Sequence, residues 1–452
     1  MSKLYDIAIL GADDPASWLS AAAFAGRDLR VALILGHAPD PDTVAFPWLP
    51  LDLARHAELM AQAGLVPAAA PRPPFTPDLQ VIVAGKAIDL AADPLFFERG
   101  IKRDLGGDAA ILIELSQALG RGASEFIAAA AADPSSPLNR LYAAVPPDRP
   151  WSGWFKKRGP TLPESPPFSR AASGAPAPIR SAFLAAATAV LAAPLPPEPT
   201  LAQVAMLWNF CRGARPGPGA TLGLREQAAA RIAKRGAVIE GDPETVIAEG
   251  RSVHSVRLKS RAIVDAKILV AASSMLARLL SPGKSGPRPG KSPDPAMERA
   301  TFFYRIEKSS LPEALAERAV VAADPGKPLS GANLMVIVRS PRVPRRQTMA
   351  ITVFAPPGAI DPESLPQALA ASLPWIEPAA ITPDDTRAPI IASCPPLNYL
   401  LAPPPSPAPV FENFFPLPGD PLPGWGPAGL IISLRALLAA GLDLLPKYKG
   451  RL

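Results

Sequence analysis

Residues Tyr5-Asp6-Ile7-Ala8-Ile9-Leu10-Gly11-Ala12-Asp13-Asp14-Pro15-Ala16-Ser17 decide the fold. The apolar run through Leu10 reads as a strand buried on both faces, the mark of a parallel sheet. Gly11-Ala12 turns the chain, and Asp14 followed by Pro15 forms an N-cap and first-turn pair, so a helix starts near Pro15. A second apolar strand, Arg30 to Leu35, follows at the distance of a β-α-β unit. Strand, turn, helix and strand in this order predict a Rossmann-like α/β fold shaped to receive a dinucleotide.

The turn departs from what a dinucleotide needs. In a G-x-G-x-x-G turn the second glycine lets backbone approach the pyrophosphate, and the helix N–H groups hold the anion. Here Gly11 is followed by Ala12, Asp13 and Asp14, and then by Pro15, which has no N–H to give. The Asp14 carboxylate is placed to take the donors that a phosphate would use. A carboxylate about 5 Å from a phosphate charge, at an effective dielectric of about 20, costs roughly 3 kcal/mol, about a hundredfold in affinity. Leu33-Ile34-Leu35-Gly36-His37 also offers no acid for a ribose before Asp40.

Composition frames that departure. The chain has 452 residues, 48% of them hydrophobic, enough for two or three domains with a substantial core. Two cysteines, Cys211 and Cys394, cannot build a disulfide framework, and no charged-then-apolar leader precedes the first strand, so a cytoplasmic location is expected. The apolar helix candidate Ser181 to Leu195 is too short to span a bilayer, and residues 427 to 445 carry Arg435 and Asp443. The net charge of +6 comes from scattered basic residues with no nucleic-acid motif beside them, so no nucleic-acid partner is expected. Sixty prolines, dense in 160–200, 282–295 and 402–427, mark loops or extended arms.

A second block of the same architecture follows. A helix is predicted over 220–235, stopped at Gly236, then strands over 237–239, 245–248, 252–258 and 266–272. Elsewhere a helix is predicted over 51–65, paired strands over 79–83 and 86–90, and helices over 108–132. Strands over 301–307, 332–339 and 347–354 read as antiparallel, with 341–346 as a basic tip carrying Arg342, Arg345 and Arg346 next to Arg339.

Three separated segments in order carry a resemblance. They are the first strand-turn-helix, the run Arg215 to Leu224 with Arg235-Gly236-Ala237-Val238-Ile239, and Glu412 to Gly429, which includes Gly419-Asp420 and Gly424-Trp425-Gly426. Together they resemble the phytoene desaturase-like branch of the FAD-dependent amine oxidase superfamily. The resemblance implies a discontinuous FAD-type domain over 1–60, 200–285 and 395–452, with an inserted α+β substrate domain over 61–199 and 286–394. It implies cofactor positions at Gly11, Ala12, Asp13, Asp14 and Gly36, with Glu244 at the family's adenine-contacting strand. Gly419 and Asp420 would approach the ribityl-pyrophosphate. Gly424, Trp425 and Gly426 would face the flavin ring, ahead of a last helix over 427–444.

Other chemistry is sparse. His37, His56 and His254 lie at no metal-ligand spacing, and no G-x-S-x-G elbow is present, so no metal and no hydrolase is expected. Trp151, Trp154 and Phe155 precede Lys156, Lys157 and Arg158, a pairing suited to the headgroup layer of an anionic membrane or simply to an ordinary surface. Two function classes follow. One is an FAD-dependent oxidoreductase acting on an apolar isoprenoid-like or amine substrate. The other keeps the scaffold with weakened or lost FAD and binds a hydrophobic small molecule or a protein partner, a use for which Rab GDP dissociation inhibitors, which resemble this fold, are a precedent.

Overall fold

The computed structural model describes residues 4–11, 13–36, 57–67, 79–90, 94–132, 165–191, 193–213, 222–249, 252–271, 279, 297–307, 310, 315–316, 318–340, 346–394, 411, 413–418 and 426–448. In chain order the strands are β1 (Leu4–Gly11), β2 (Val31–Leu35), β3 (Leu79–Val83), β4 (Lys86–Leu90), β5 (Ala237–Glu240), β6 (Pro243–Glu249), β7 (Ser252–Leu258) and β8 (Ile263–Ala271). They continue as β9 (Glu298–Glu307), β10 (Arg318–Ala322), β11 (Leu334–Ser340), β12 (Arg346–Ala355), β13 (Ile381–Pro383), β14 (Ile390–Ser393) and β15 (Phe414–Pro416). The helices are α1 (Pro15–Ala25), α2 (Ala57–Gln62), α3 (Pro94–Leu105), α4 (Ala109–Ala132), α5 (Phe168–Ala171), α6 (Ala177–Leu191), α7 (Leu201–Gly213), α8 (Leu222–Ile232), α9 (Leu365–Ser372) and α10 (Gly426–Leu444).

The first sheet explains the opening sequence. β5, β2, β1, β8 and β15 lie side by side and all run parallel, while β6 and β7 continue antiparallel from β8. Numbered along the chain, the five parallel strands lie in the order 3-2-1-4-5, so the connection reverses direction between β1 and β8. Ile7 through Leu10 are fully buried because both faces are covered. One face takes Trp18, Leu19 and Phe24 of α1 with Leu434 and Leu437 of α10, and the other takes Val253 and Val256 of β7. Each large apolar side chain so buried contributes roughly 1.5–3 kcal/mol. The class is therefore α/β with a Rossmann-like sheet, as the first strand and helix predict.

Two polar devices hold distant segments in this sheet. Asn413, buried just ahead of β15, accepts from the Val253 N–H at 2.8 Å and donates to the carbonyls of Val253 and Lys267, each at 2.7 Å. Asp6 of β1 accepts from Lys267 of β8 at 2.9 Å and from the Arg30 N–H at 2.9 Å. Burial pushes the Asp6 carboxyl up, but these bonds outweigh it and hold it below the ordinary aspartate value.

The second sheet runs β13-β9-β12-β11-β10-β3-β4, with β14 also on β9, and only β10 with β3 is parallel. Alternate residues serve its two faces: Val81, Val320 and Val336 meet α3, α4, α6 and α7, while Ile82, Val321 and Ile337 meet α9. Helix α7 packs against α4 and α6 on this sheet and against α10 of the first sheet, so it bridges the two layers.

Several elements differ from their sequence-based bounds. The helix expected over 181–195 runs Ala177–Leu191 and ends before Pro194, which cannot continue it. The helices expected over 108–132 are one continuous helix, Ala109–Ala132, preceded by a separate one, Pro94–Leu105, with Gly106 at a positive φ between them. Residues 331–333 form a 3-10 turn, and the strand begins at Leu334.

Candidate functional site

The amino-terminal mouth of α1 is assembled from the ends of β1 and β2. Gly11 closes β1, and the N–H of Gly36, just past β2, donates to the Gly11 carbonyl at 3.1 Å. Asp14 stands between them in extended conformation as the N-cap. Its Oδ1 accepts from the Ser17 N–H at 2.9 Å and its Oδ2 from the Ser17 hydroxyl at 2.7 Å. Pro15 brings no N–H, and the Trp18 N–H makes the first intrahelical bond, to the Asp14 carbonyl.

Ser17 also decides what Gly11 is for. A Cβ placed on Gly11 would stand 1.9 Å from the Ser17 Oγ, a distance no side chain tolerates. The room that this glycine opens is thus taken by the serine hydroxyl, which is buried with its helix against the sheet.

Asp13 fastens the same turn to α8. Its Oδ1 accepts from the indole N–H of buried Trp18 at 2.6 Å, and its Oδ2 from Arg225 at 3.0 Å. The Arg225 guanidinium lies over the Trp18 ring, 5.7 Å from its centre. Sequence alone pairs neither Trp18 nor Arg225 with Asp13, since Arg225 lies 212 positions away.

A third carboxylate reaches the mouth from an unexpected place. β5 lies beside β2, and the turn after it returns to the end of β2, where the Gly241 N–H donates to the Leu35 carbonyl at 3.0 Å. Asp242 Oδ1 there lies 3.5 Å from the Cβ position of Gly36, and its Oδ2 accepts from Lys259 at 3.1 Å. The acid missing at the end of the second strand is supplied by a neighbouring turn, a placement no local pattern announces. Glu244, two residues on, is half-exposed in β6 and pairs with Arg257 at 3.1 Å.

Other sequence-selected residues fall as follows. Gly426 is the first residue of α10. Ala12, Gly419, Asp420, Gly424 and Trp425 lie outside the described residues, as do Trp151, Trp154, Phe155, Lys156, Lys157 and Arg158. His37, His56, Asp40, Arg342 and Arg345 lie outside them too. His254 sits in β7, 3.8 Å from Glu249. Arg339 is no loose surface charge: it donates to the carbonyls of Leu315 and Ala316.

The chemistry available at the mouth is acidic and self-satisfied. Asp13 and Asp14 present carboxylate oxygens where a diphosphate needs donors, and Asp13 is already paired with Arg225. The Ser17 hydroxyl at the mouth donates to Asp14, and the described free cysteine, Cys394, lies in the core of the second sheet. Burial pushes the Cys394 thiol up to about 11, so at neutral pH it stays protonated and packs as a small hydrophobe. Among the described residues no group of three or more His, Cys, Asp or Glu is placed to hold a metal ion, and no helix is long and apolar enough to cross a membrane.

No protein-family model matches the chain, and no curated protein sequence matches it. Solved structures similar to it include an oxidoreductase from Methanosarcina mazei, at 12% identity and a TM-score of 0.48, over 96% of this chain and 100% of that one. A flavoprotein/dehydrogenase from Cytophaga hutchinsonii is similar at 10% identity and a TM-score of 0.44, over 98% of this chain and 79% of that one. A Rab GDI from Plasmodium falciparum is similar at 9% identity and a TM-score of 0.45, over 97% of this chain and 98% of that one. Likeness at this level assigns no activity and no ligand to the present chain.

Proposed function

We propose that this chain is a flavoprotein-type scaffold put to binding rather than to redox chemistry, with its grip on FAD weakened or lost, and that it holds a hydrophobic small molecule or a protein partner. The carrying observation is the α1 mouth, where Asp14 takes both the amide and the hydroxyl of Ser17 while Asp13 is held by Trp18 and Arg225. A diphosphate entering there must displace a cap worth about 1 kcal/mol. It must also face the Asp14 carboxylate, a repulsion of roughly 3 kcal/mol at about 5 Å. The residues at the α1 mouth therefore do not fit the cofactor's diphosphate. The phytoene desaturase-like kinship and the division into an FAD-type domain and an inserted substrate domain belong to this reading as its evolutionary frame.

A second reading has two observations in its favour, the first being that Asp242 brings a carboxylate to the end of β2, where a ribose acid is expected. Gly426 opens a 19-residue helix a short way past β15, the placement that the resemblance assigns to the ring side of a flavin site. On that reading the chain is an FAD-dependent oxidoreductase of an apolar isoprenoid-like or amine substrate.

Absorption of the purified protein separates the two. The binding reading expects colourless protein that takes up no stoichiometric FAD when the cofactor is added, and a full flavin band would overturn it. Replacing both acids, Asp13→Gly with Asp14→Gly, is expected to raise FAD affinity by up to about a hundredfold, the equivalent of roughly 3 kcal/mol. No gain would mean that the two carboxylates are not what bars the cofactor.

A further inference from the structure

The second sheet carries a cleft of about 830 Å³ between α6 and the segment 325–330, well removed in sequence from the α1 mouth. That volume lies within the range of small-molecule sites. Helix α6 lines it with Ala177, Arg180, Ser181, Leu184 and Thr188, positions three and four apart that share one helical face. Leu195, Met297 and Leu329 complete an apolar wall. These three and Leu184 are only partly buried, packed at the margin of the core.

Two polar groups in this cleft are left over by the fold. Thr188 is 1% exposed, and its Oγ1 has no hydrogen-bond partner. A helical threonine ordinarily bonds a carbonyl of the preceding turn, and a buried hydroxyl without a partner is uncommon. Arg180 donates to the Ala175 carbonyl at 2.7 Å, and among the described residues no carboxylate pairs with it. The other cation on the lining, Lys327, is neutralised by Asp324 at 3.4 Å. The cleft thus carries one uncompensated positive charge near the start of α6 and one unpaired hydroxyl deep along it. Eight residues separate them, about 12 Å along the helix axis.

We propose that this cleft binds a long-chain carboxylate with an oxygen in mid-chain, its head on Arg180 and its mid-chain oxygen on Thr188. Charge selects the head, since a guanidinium pairs with carboxylate through two parallel bonds. The apolar wall takes the chain, and Thr188 selects the oxygen because an oxygen-free chain leaves that hydroxyl unpaired. This deepens the binding function proposed above by naming its ligand class and rests on that reading. The two fail separately: stoichiometric flavin removes the non-redox reading, whereas the titrations below judge the cleft alone.

Calorimetric titration of the full chain with ricinoleate, oleate and methyl ricinoleate tests it. Ricinoleate, with its mid-chain hydroxyl, is expected to bind about tenfold more tightly than oleate, the span of one hydrogen bond. The methyl ester, which has lost the charge, is expected to bind at least about tenfold more weakly than the acid. Thr188→Val should erase the preference for ricinoleate over oleate in a protein that still folds, because valine has nearly the same shape and buries no polar atom. Arg180→Gln should erase the preference for acid over ester. Absence of ricinoleate binding, equal binding of ricinoleate and oleate, or a preference that survives Thr188→Val in a protein of unchanged circular dichroism would each overturn the proposal.

Discussion

Asp13 and Asp14 are neighbours with different work. Asp14 satisfies a helix end, whereas Asp13 satisfies an indole and an arginine, and the two bonds of Asp13 differ in depth. Its pair with Arg225 is half-exposed, a setting in which ion pairs add little. Its bond from Trp18 reaches a buried ring, whose N–H would lose its acceptor if the acid were removed. Asp13→Ala is therefore expected to cost about 1–3 kcal/mol and Arg225→Ala only about 0.2–1 kcal/mol, measured by urea denaturation. Equal costs would show that the surface pair, and not the indole bond, carries the effect. Asp14 was legible as a cap because capping is a local pattern of four residues. Arg225 was not legible as a partner of Asp13, because that contact exists only once α8 has packed on α1, and the Trp18 bond follows no capping pattern although it spans only five residues. Asp242 has no local signature for the same reason, since it arrives at Gly36 through a turn after β5.

Elements with a strong local signal stood out in the sequence and the others did not. β1, β2 and the hairpin of β3 with β4 each show an apolar run bounded by turn residues. β13, β14 and β15 have three or four residues each, too few for any periodicity, and exist because β9 and β8 offer them an edge. Helix α7, bridging the two layers, has apolar residues spread around its circumference, so no single face declares it. The β3–β4 hairpin also contains a correctable flaw. Its two turn residues, Ala84 and Gly85, have φ of 49° and 77°, as a type I′ turn requires. Glycine adopts that region freely, but alanine pays for its Cβ there, about 1–2 kcal/mol. Asn tolerates it better, and Ala84 is exposed, so the change touches no packing. Ala84→Asn is expected to stabilise the protein by about 0.5–1 kcal/mol, read as a higher Tm. A lower Tm would mean that the turn's strain is offset by contacts the substitution breaks.

Both sheets carry a carboxylate that the fold keeps ionised, and this couples the stability of the whole chain to pH. In the first, Asp6 is held by Arg30 and Lys267 against the cost of burial. In the second, burial likewise pushes Asp384 up, but Thr386 and Arg305, the latter at 2.5 Å, hold it below its ordinary value. A carboxyl with a depressed folded-state pKa adds stability at pH values above its unfolded pKa, near 3.9, and loses it as pH falls through the folded value. The expected result is a Tm that is level near neutrality and begins to drop at about pH 5, steepening toward pH 3. Replacing both ends of one pair, Asp6→Asn with Lys267→Met, should flatten part of that descent while lowering Tm at neutral pH far less than Lys267→Met alone. The single change leaves the partly buried Asp6 to Arg30 alone and is expected to cost about 1–3 kcal/mol, whereas removing both charges leaves no carboxylate short of a partner.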